Sequence, residues 1–174
     1  MQAMVRALAV GAAALFCMGQ APGSRVDYTL TPLLREGALT AVQFELSFRG
    51  EADGETVLAL PDSWGGESEL YRGVEALEVV SGAQIAEGEG PALRVLTHRP
   101  DARIRVRWRV VQDWPGEPVA SRGNPYRPIV QPGYFHLIGN AALVTPRIAE
   151  ATPARLRVRG LPRGWTFASD LEHR

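Results

Sequence analysis

Few side chains in this sequence are equipped for chemistry, and their spacing decides what they could do. The three histidines are His98, His136 and His173. Four residues beyond His98 stands Ala102, and four beyond His136 stands Asn140, so no two imidazoles share a helical face and the H-E-x-x-H zinc pattern is absent. Gly66-Glu67-Ser68-Glu69-Leu70 falls one residue short of the G-x-S-x-G elbow. Leu70 stands where a second glycine would allow the sharp strand-to-helix turn, so Ser68 reads as a loop serine. Paired carboxylates occur at Glu67/Glu69, Glu87/Glu89 and Asp170/Glu172. Two acids can divide acid and base work on a glycosidic bond, but nothing in the spacing sets their separation, and solvated loop charge is the plainer account. All nineteen basic residues are arginine, which removes Schiff-base and phosphate-loop lysine chemistry. The single cysteine, Cys17, excludes an internal disulfide framework.

The most suggestive charge feature is the alternation Arg103, Arg105, Arg107, Arg109, interleaved with Ile104, Val106, Trp108 and Val110. On a strand the arginines form a row about 20 Å long. Such a row suits an anionic partner, or it pairs across strands with acids such as Glu45. His136 sits in the apolar run Tyr134–Leu137, where a buried, hydrogen-bonded histidine is the plainer reading and a ligand histidine the alternative.

The elements that must position these groups read as strands. Val42, Phe44, Leu46 and Phe48 alternate with Gln43, Glu45, Ser47 and Arg49, a half-buried strand over 38–49. A second strand, 56–60, stops at Pro61. Arg103–Val111 is a third, and shorter candidates are 28–30, 77–80, 92–97, 135–138, 142–144, 154–159 and 165–168. A modest helix is expected around 69–77, interrupted by Gly73. Eighteen glycines and thirteen prolines among 174 residues leave little room for long helices. The expected fold is all-β, an antiparallel β-sandwich of short strands, with a single twisted sheet carrying one helix as the alternative. The stretch 114–133 holds Pro115, Pro118, Pro125, Pro128 and Pro132 and reads as one long, stiff loop.

The first residues read as an address. Arg6 precedes the apolar run Ala7–Met18, too short for the ~20 residues of a spanning helix, and small residues flank a cleavage position at Ala21. The expected organisation is a signal peptide over 1–21 and one domain over 22–174, exported to the periplasm or the exterior. Lipid attachment at Cys17 is disfavoured by the bulky Phe16 before it. Net charge is zero, so nucleic acid is not an expected partner, and no membrane span is expected after cleavage.

Three stretches in order, Leu60-Pro61-Asp62-Ser63-Trp64-Gly65-Gly66-Glu67-Ser68-Glu69-Leu70-Tyr71, Val110–Trp114, and Asn124-Pro125-Tyr126-Arg127-Pro128 leading to Tyr134–Gly139, resemble the N-terminal region of the glycyl aminopeptidase-type metallopeptidases, the metallo-class peptidase family numbered 61. Gly164–Leu171 adds to the resemblance, which runs from about Asp27 to Glu172. It implies an N-terminal β-sandwich ahead of a thermolysin-like zinc domain and a PDZ-like domain. The zinc ligands and catalytic glutamate belong to that zinc domain; no position here matches their motif, so no catalytic residue, metal ligand or cofactor is assigned to this chain. The partner implied is the zinc domain of the same family, with peptide as substrate. Trp114, Asn124, Tyr126, Tyr134 and His136 are the candidate docking or cleft surface. The alternative is a free-standing module of the periplasm that binds carbohydrate or peptide.

Overall fold

The computed structural model describes residues 25–119, 126–148 and 152–171. The expected leader with Cys17, and Asn124, Glu172 and His173, lie outside the described residues. The described residues form eleven strands: β1 (Val26–Arg35), β2 (Ala38–Arg49), β3 (Glu55–Ala59), β4 (Val74–Ser81), β5 (Ala83–Glu87), β6 (Leu93–His98), β7 (Arg103–Val110), β8 (Ile129–Gln131), β9 (Tyr134–His136), β10 (Thr145–Arg147) and β11 (Ala154–Val158). One helical turn, α1, spans Gly139–Ala142. A larger sheet runs β11-β1-β2-β7-β4 and a smaller one β10-β3-β6-β5, with β8-β9 a separate hairpin. The fold is all-β, as its alternating segments predict. Pairing is antiparallel except between β1 and β11, which run parallel.

The core explains why two layers form. Tyr28 and Leu30 of β1, Phe44 and Leu46 of β2, and Val106 and Trp108 of β7 are buried in one cluster with Leu58 of β3, Leu96 of β6 and Val144. The inner faces of both sheets therefore share one apolar interior. Trp108 stacks on Phe44 with ring centroids 5.3 Å apart, meets Tyr28 edge-on at 6.3 Å, and donates its indole N–H to the Ala142 carbonyl at 3.1 Å. The Tyr28 hydroxyl donates to the Val144 carbonyl at 3.1 Å. Burial pushes that phenol well above its ordinary range.

Several local expectations change. The helix expected at 69–77 is a single 3-10 turn, Leu70–Gly73, followed at once by β4. Gly73 lies against the neighbouring strand, where it accepts the Val111 N–H at 2.9 Å, and that close approach ends the turn. Of residues 142–144, Ala142 ends a helical turn and 143–144 follow it without joining a strand. Residues 165–168 carry no ladder; Trp165 and Phe167 face Phe135, with centroids 6.3 Å away in each case, so side-chain burial supplies the apolar signal. The loop expected over 114–133 contains β8, and β5 has too few large apolar residues to announce itself.

Candidate functional site

Three distant segments meet beyond the ends of β3 and β7. The first is the loop after β3. Trp64 and Glu67 exchange backbone hydrogen bonds at 3.0 and 3.1 Å around Gly65 and Gly66, whose φ values are +61° and +91°. Two central residues with positive φ make a tight turn that glycine adopts at little cost. The missing side chain of Gly65 has a second use, because a Cβ there would stand 2.4 Å from the Tyr126 ring. Tyr126 thus lies flat on the glycine, and Trp64 and Tyr126 remain 46% and 40% exposed.

Arg127 locks the arrangement. Its Nε donates to Asp113 Oδ1 at 3.1 Å and its Nη2 to Asp113 Oδ2, a two-pronged pair. Its Nη1 donates to Glu67 Oε2 at 3.2 Å and to the Ser68 carbonyl at 2.9 Å. The guanidinium is 11% exposed and the Asp113 side chain 8%. The hydrogen bond to Asp113 raises the Arg127 pKa further, against the opposing pull of desolvation, so the group stays charged. Gln112 binds the carbonyls of Trp114 and Gly116 at 3.0 and 2.8 Å and accepts the Val130 N–H at 3.2 Å. Trp114 donates its indole N–H to the Pro128 carbonyl at 3.1 Å. The result is a rigid platform with two aromatic rings on top.

The sequence-predicted residues divide between places. Trp114 and Tyr126 belong to this platform. Tyr134 and His136 lie on β9 and line an apolar cavity of about 1170 Å³ with Leu30, Phe44, Phe135 and Leu156. His136 is exposed and not the buried histidine its apolar run suggests, because β9 alternates and turns Phe135 inward instead. Each of the four β7 arginines faces a carboxylate: Arg103 with Asp27 at 3.4 Å, Arg105 with Glu45 at 2.8 Å, Arg107 with Glu78 at 2.5 Å and Arg109 with Glu75 at 3.7 Å. The row is charge-compensated across the sheet. Sequence reasoning passed over Arg127, Asp113, Glu67 and Trp64 as site residues. All four stand inside the stretches that carry the family resemblance, and that was the available signal.

Both His98 ring nitrogens are engaged, Nε2 with Thr56 Oγ1 and Nδ1 with the Arg99 carbonyl, each at 2.8 Å. Among the described residues no group of three histidine, cysteine or acidic side chains is placed to hold a metal, and no helix is long and apolar enough to cross a membrane.

No protein-family model matches the chain, and no curated protein matches it. Among solved structures, the chain is similar to a two-domain M1 zinc metallopeptidase mutant bound to L-tryptophan, at 18% identity and a TM-score of 0.39, covering 79% of this chain and 32% of that one. It is similar to the M1 zinc metallopeptidase from Deinococcus radiodurans at 18% identity and a TM-score of 0.39, covering 78% of this chain and 31% of that one. The chain thus spans about a third of the length of those structures.

Proposed function

We propose that this chain is the non-catalytic N-terminal β-sandwich of an exported zinc aminopeptidase-like metallopeptidase, shaping one side of a substrate cleft and docking the zinc domain. One observation carries the reading. The three stretches that resemble the peptidase family are not contiguous in sequence, yet one residue from each joins a single hydrogen-bonded clamp, Arg127 with Asp113 and Glu67, which lie 14 and 60 residues from it. The clamp holds Trp64 and Tyr126 outward at fixed positions, and rigid aromatics offer contact area at low entropic cost. Zinc, on this reading, is held by the docked domain, which supplies the hydrolytic chemistry.

The test has two arms. The purified chain, assayed with zinc against aminoacyl and peptide anilides, is expected to show no turnover above a metal blank, and turnover would overturn the non-catalytic assignment. The DNA beyond codon 174 is expected to encode a zinc domain with H-E-x-x-H. Tyr126→Ala and Trp64→Ala should each weaken binding of that domain about tenfold; unchanged affinity removes the platform from docking. A second reading, the free-standing carbohydrate- or peptide-binding module, is favoured by the apolar cavity under β9. Unrelated DNA after a genuine stop would select it.

A further inference from the structure

The edge of the larger sheet carries an inference independent of the docking platform. β11 pairs with β1 on one side and with no described strand on the other. The bonds Val26 N–H to Pro153 carbonyl and Arg159 N–H to Leu30 carbonyl fix which groups face β1. In a parallel ladder bonding residues alternate, so 153, 155, 157 and 159 serve β1, while the N–H and C=O of Ala154, Leu156 and Val158 point to the open edge. The two faces of this edge differ sharply. Leu156 is in register with Tyr28 and Val158 with Leu30, both core residues, so Ala154, Leu156 and Val158 face inward. Leu156 also lines the cavity of about 1170 Å³, together with Phe135, Trp165 and Phe167. That volume lies somewhat above the ~300–1,000 Å³ of ordinary ligand pockets. Arg155, Arg157 and Arg159 face outward and are exposed. Among the described residues they are less well paired than the β7 arginines. Among the described residues Arg155 and Arg159 have no ion pair, and Arg157 reaches only Asp27, at 3.9 Å, which already pairs with Arg25 and Arg103.

We infer that β11 is a strand-addition site for an extended peptide alternating apolar and acidic residues. The peptide backbone completes the edge hydrogen bonds, its apolar side chains enter the cavity beside Leu156, and its carboxylates meet Arg155, Arg157 and Arg159. Charge chooses this occupant over a second copy of the chain. Antiparallel self-pairing of β11 would set arginine against arginine across the new ladder.

The probe is an acetylated, amidated heptapeptide alternating glutamate and valine, with a lysine–valine peptide of the same order as control. Titration of the full chain, read by tryptophan fluorescence, should give a Kd on the order of 10–100 µM for the glutamate peptide. The lysine peptide should bind at least about tenfold more weakly. Hydrogen exchange at the amides of Ala154, Leu156 and Val158 should slow in the complex, while Arg155 and Arg157 amides change little. Arg155→Glu with Arg157→Glu should reverse the peptide preference. Ala154→Pro, which removes one outward N–H and none used by β1, should weaken the glutamate peptide severalfold. Equal affinity for both peptides, protection confined to other strands, or no binding at millimolar peptide would each overturn the proposal. The exchange measurement needs no variant, so a misfolded mutant does not leave it undecided.

Discussion

Replacing Arg127 with methionine tests the platform most directly. Methionine keeps much of the stem and removes the guanidinium, leaving Asp113, whose side chain is 8% exposed, without its counter-charge. Removing one partner of a buried pair costs about 3–5 kcal/mol. Here Glu67 is 25% exposed and water can reach part of the site, which lowers the expected loss to about 2–3 kcal/mol. For a domain of this size, each kcal/mol lowers Tm by about 2–4 °C, so Arg127→Met should melt roughly 5–10 °C below the parent. Arg127→Lys should recover less than half of the loss, because an ammonium cannot span both Asp113 oxygens and still reach Glu67 and the Ser68 carbonyl. Adding Asp113→Asn to Arg127→Met should restore about 1 kcal/mol by removing the orphaned charge. The assay is urea unfolding followed by near-ultraviolet circular dichroism, which also reports the setting of Trp64, Trp114 and Tyr126. A loss below about 0.5 kcal/mol, or equal recovery by lysine, would refute the claim that this clamp organises the three segments.

Arg107→Gln should cost no more than about 1 kcal/mol in the same urea assay, because Arg107 and Glu78 are 42% and 54% exposed, and the loss should vanish in 1 M salt. Tyr28→Phe should cost about 0.5–1.5 kcal/mol through the lost bond to Val144. Its pH profile is the sharper readout: a phenol whose folded pKa lies above its unfolded value of about 10 keeps its full contribution below that pH and loses it as pH rises further, so the alkaline fall in stability should be smaller in the variant. Gly82→Ala should lower Tm by at least about 5 °C, since a Cβ there would stand 2.2 Å from the Arg103 carbonyl oxygen on a backbone with φ +90°; an unchanged melt would refute the tight β4–β5 corner.

Exposed ion pairs contribute about 0–1 kcal/mol each, whereas burying one large apolar side chain contributes about 1.5–3 kcal/mol. The inner face of the larger sheet therefore carries its stability, and its charged outer face chiefly sets register and solubility. Alternation makes that division readable from the residues: Phe44, Leu46 and Phe48 against Gln43, Glu45 and Ser47, and Ile104 to Val110 against the four arginines, can satisfy water and core only as strands.

Residue order alone therefore determined the all-β class, the long strands β2 and β7 and the face each buries, because period-two patterning is a local property of the chain. Only the tertiary structure decided which carboxylate meets which arginine: across the sheet Glu78 stands opposite Arg107, 29 residues away, while Glu45 reaches diagonally to Arg105, 60 residues away. It alone also placed Arg127 between Asp113 and Glu67, laid Tyr126 on Gly65, and gave β11 a single neighbour, β1, among the described strands. These are contacts between segments far apart in sequence, and their geometry is set by how two sheets of unequal width close over one core, a quantity that no local pattern encodes.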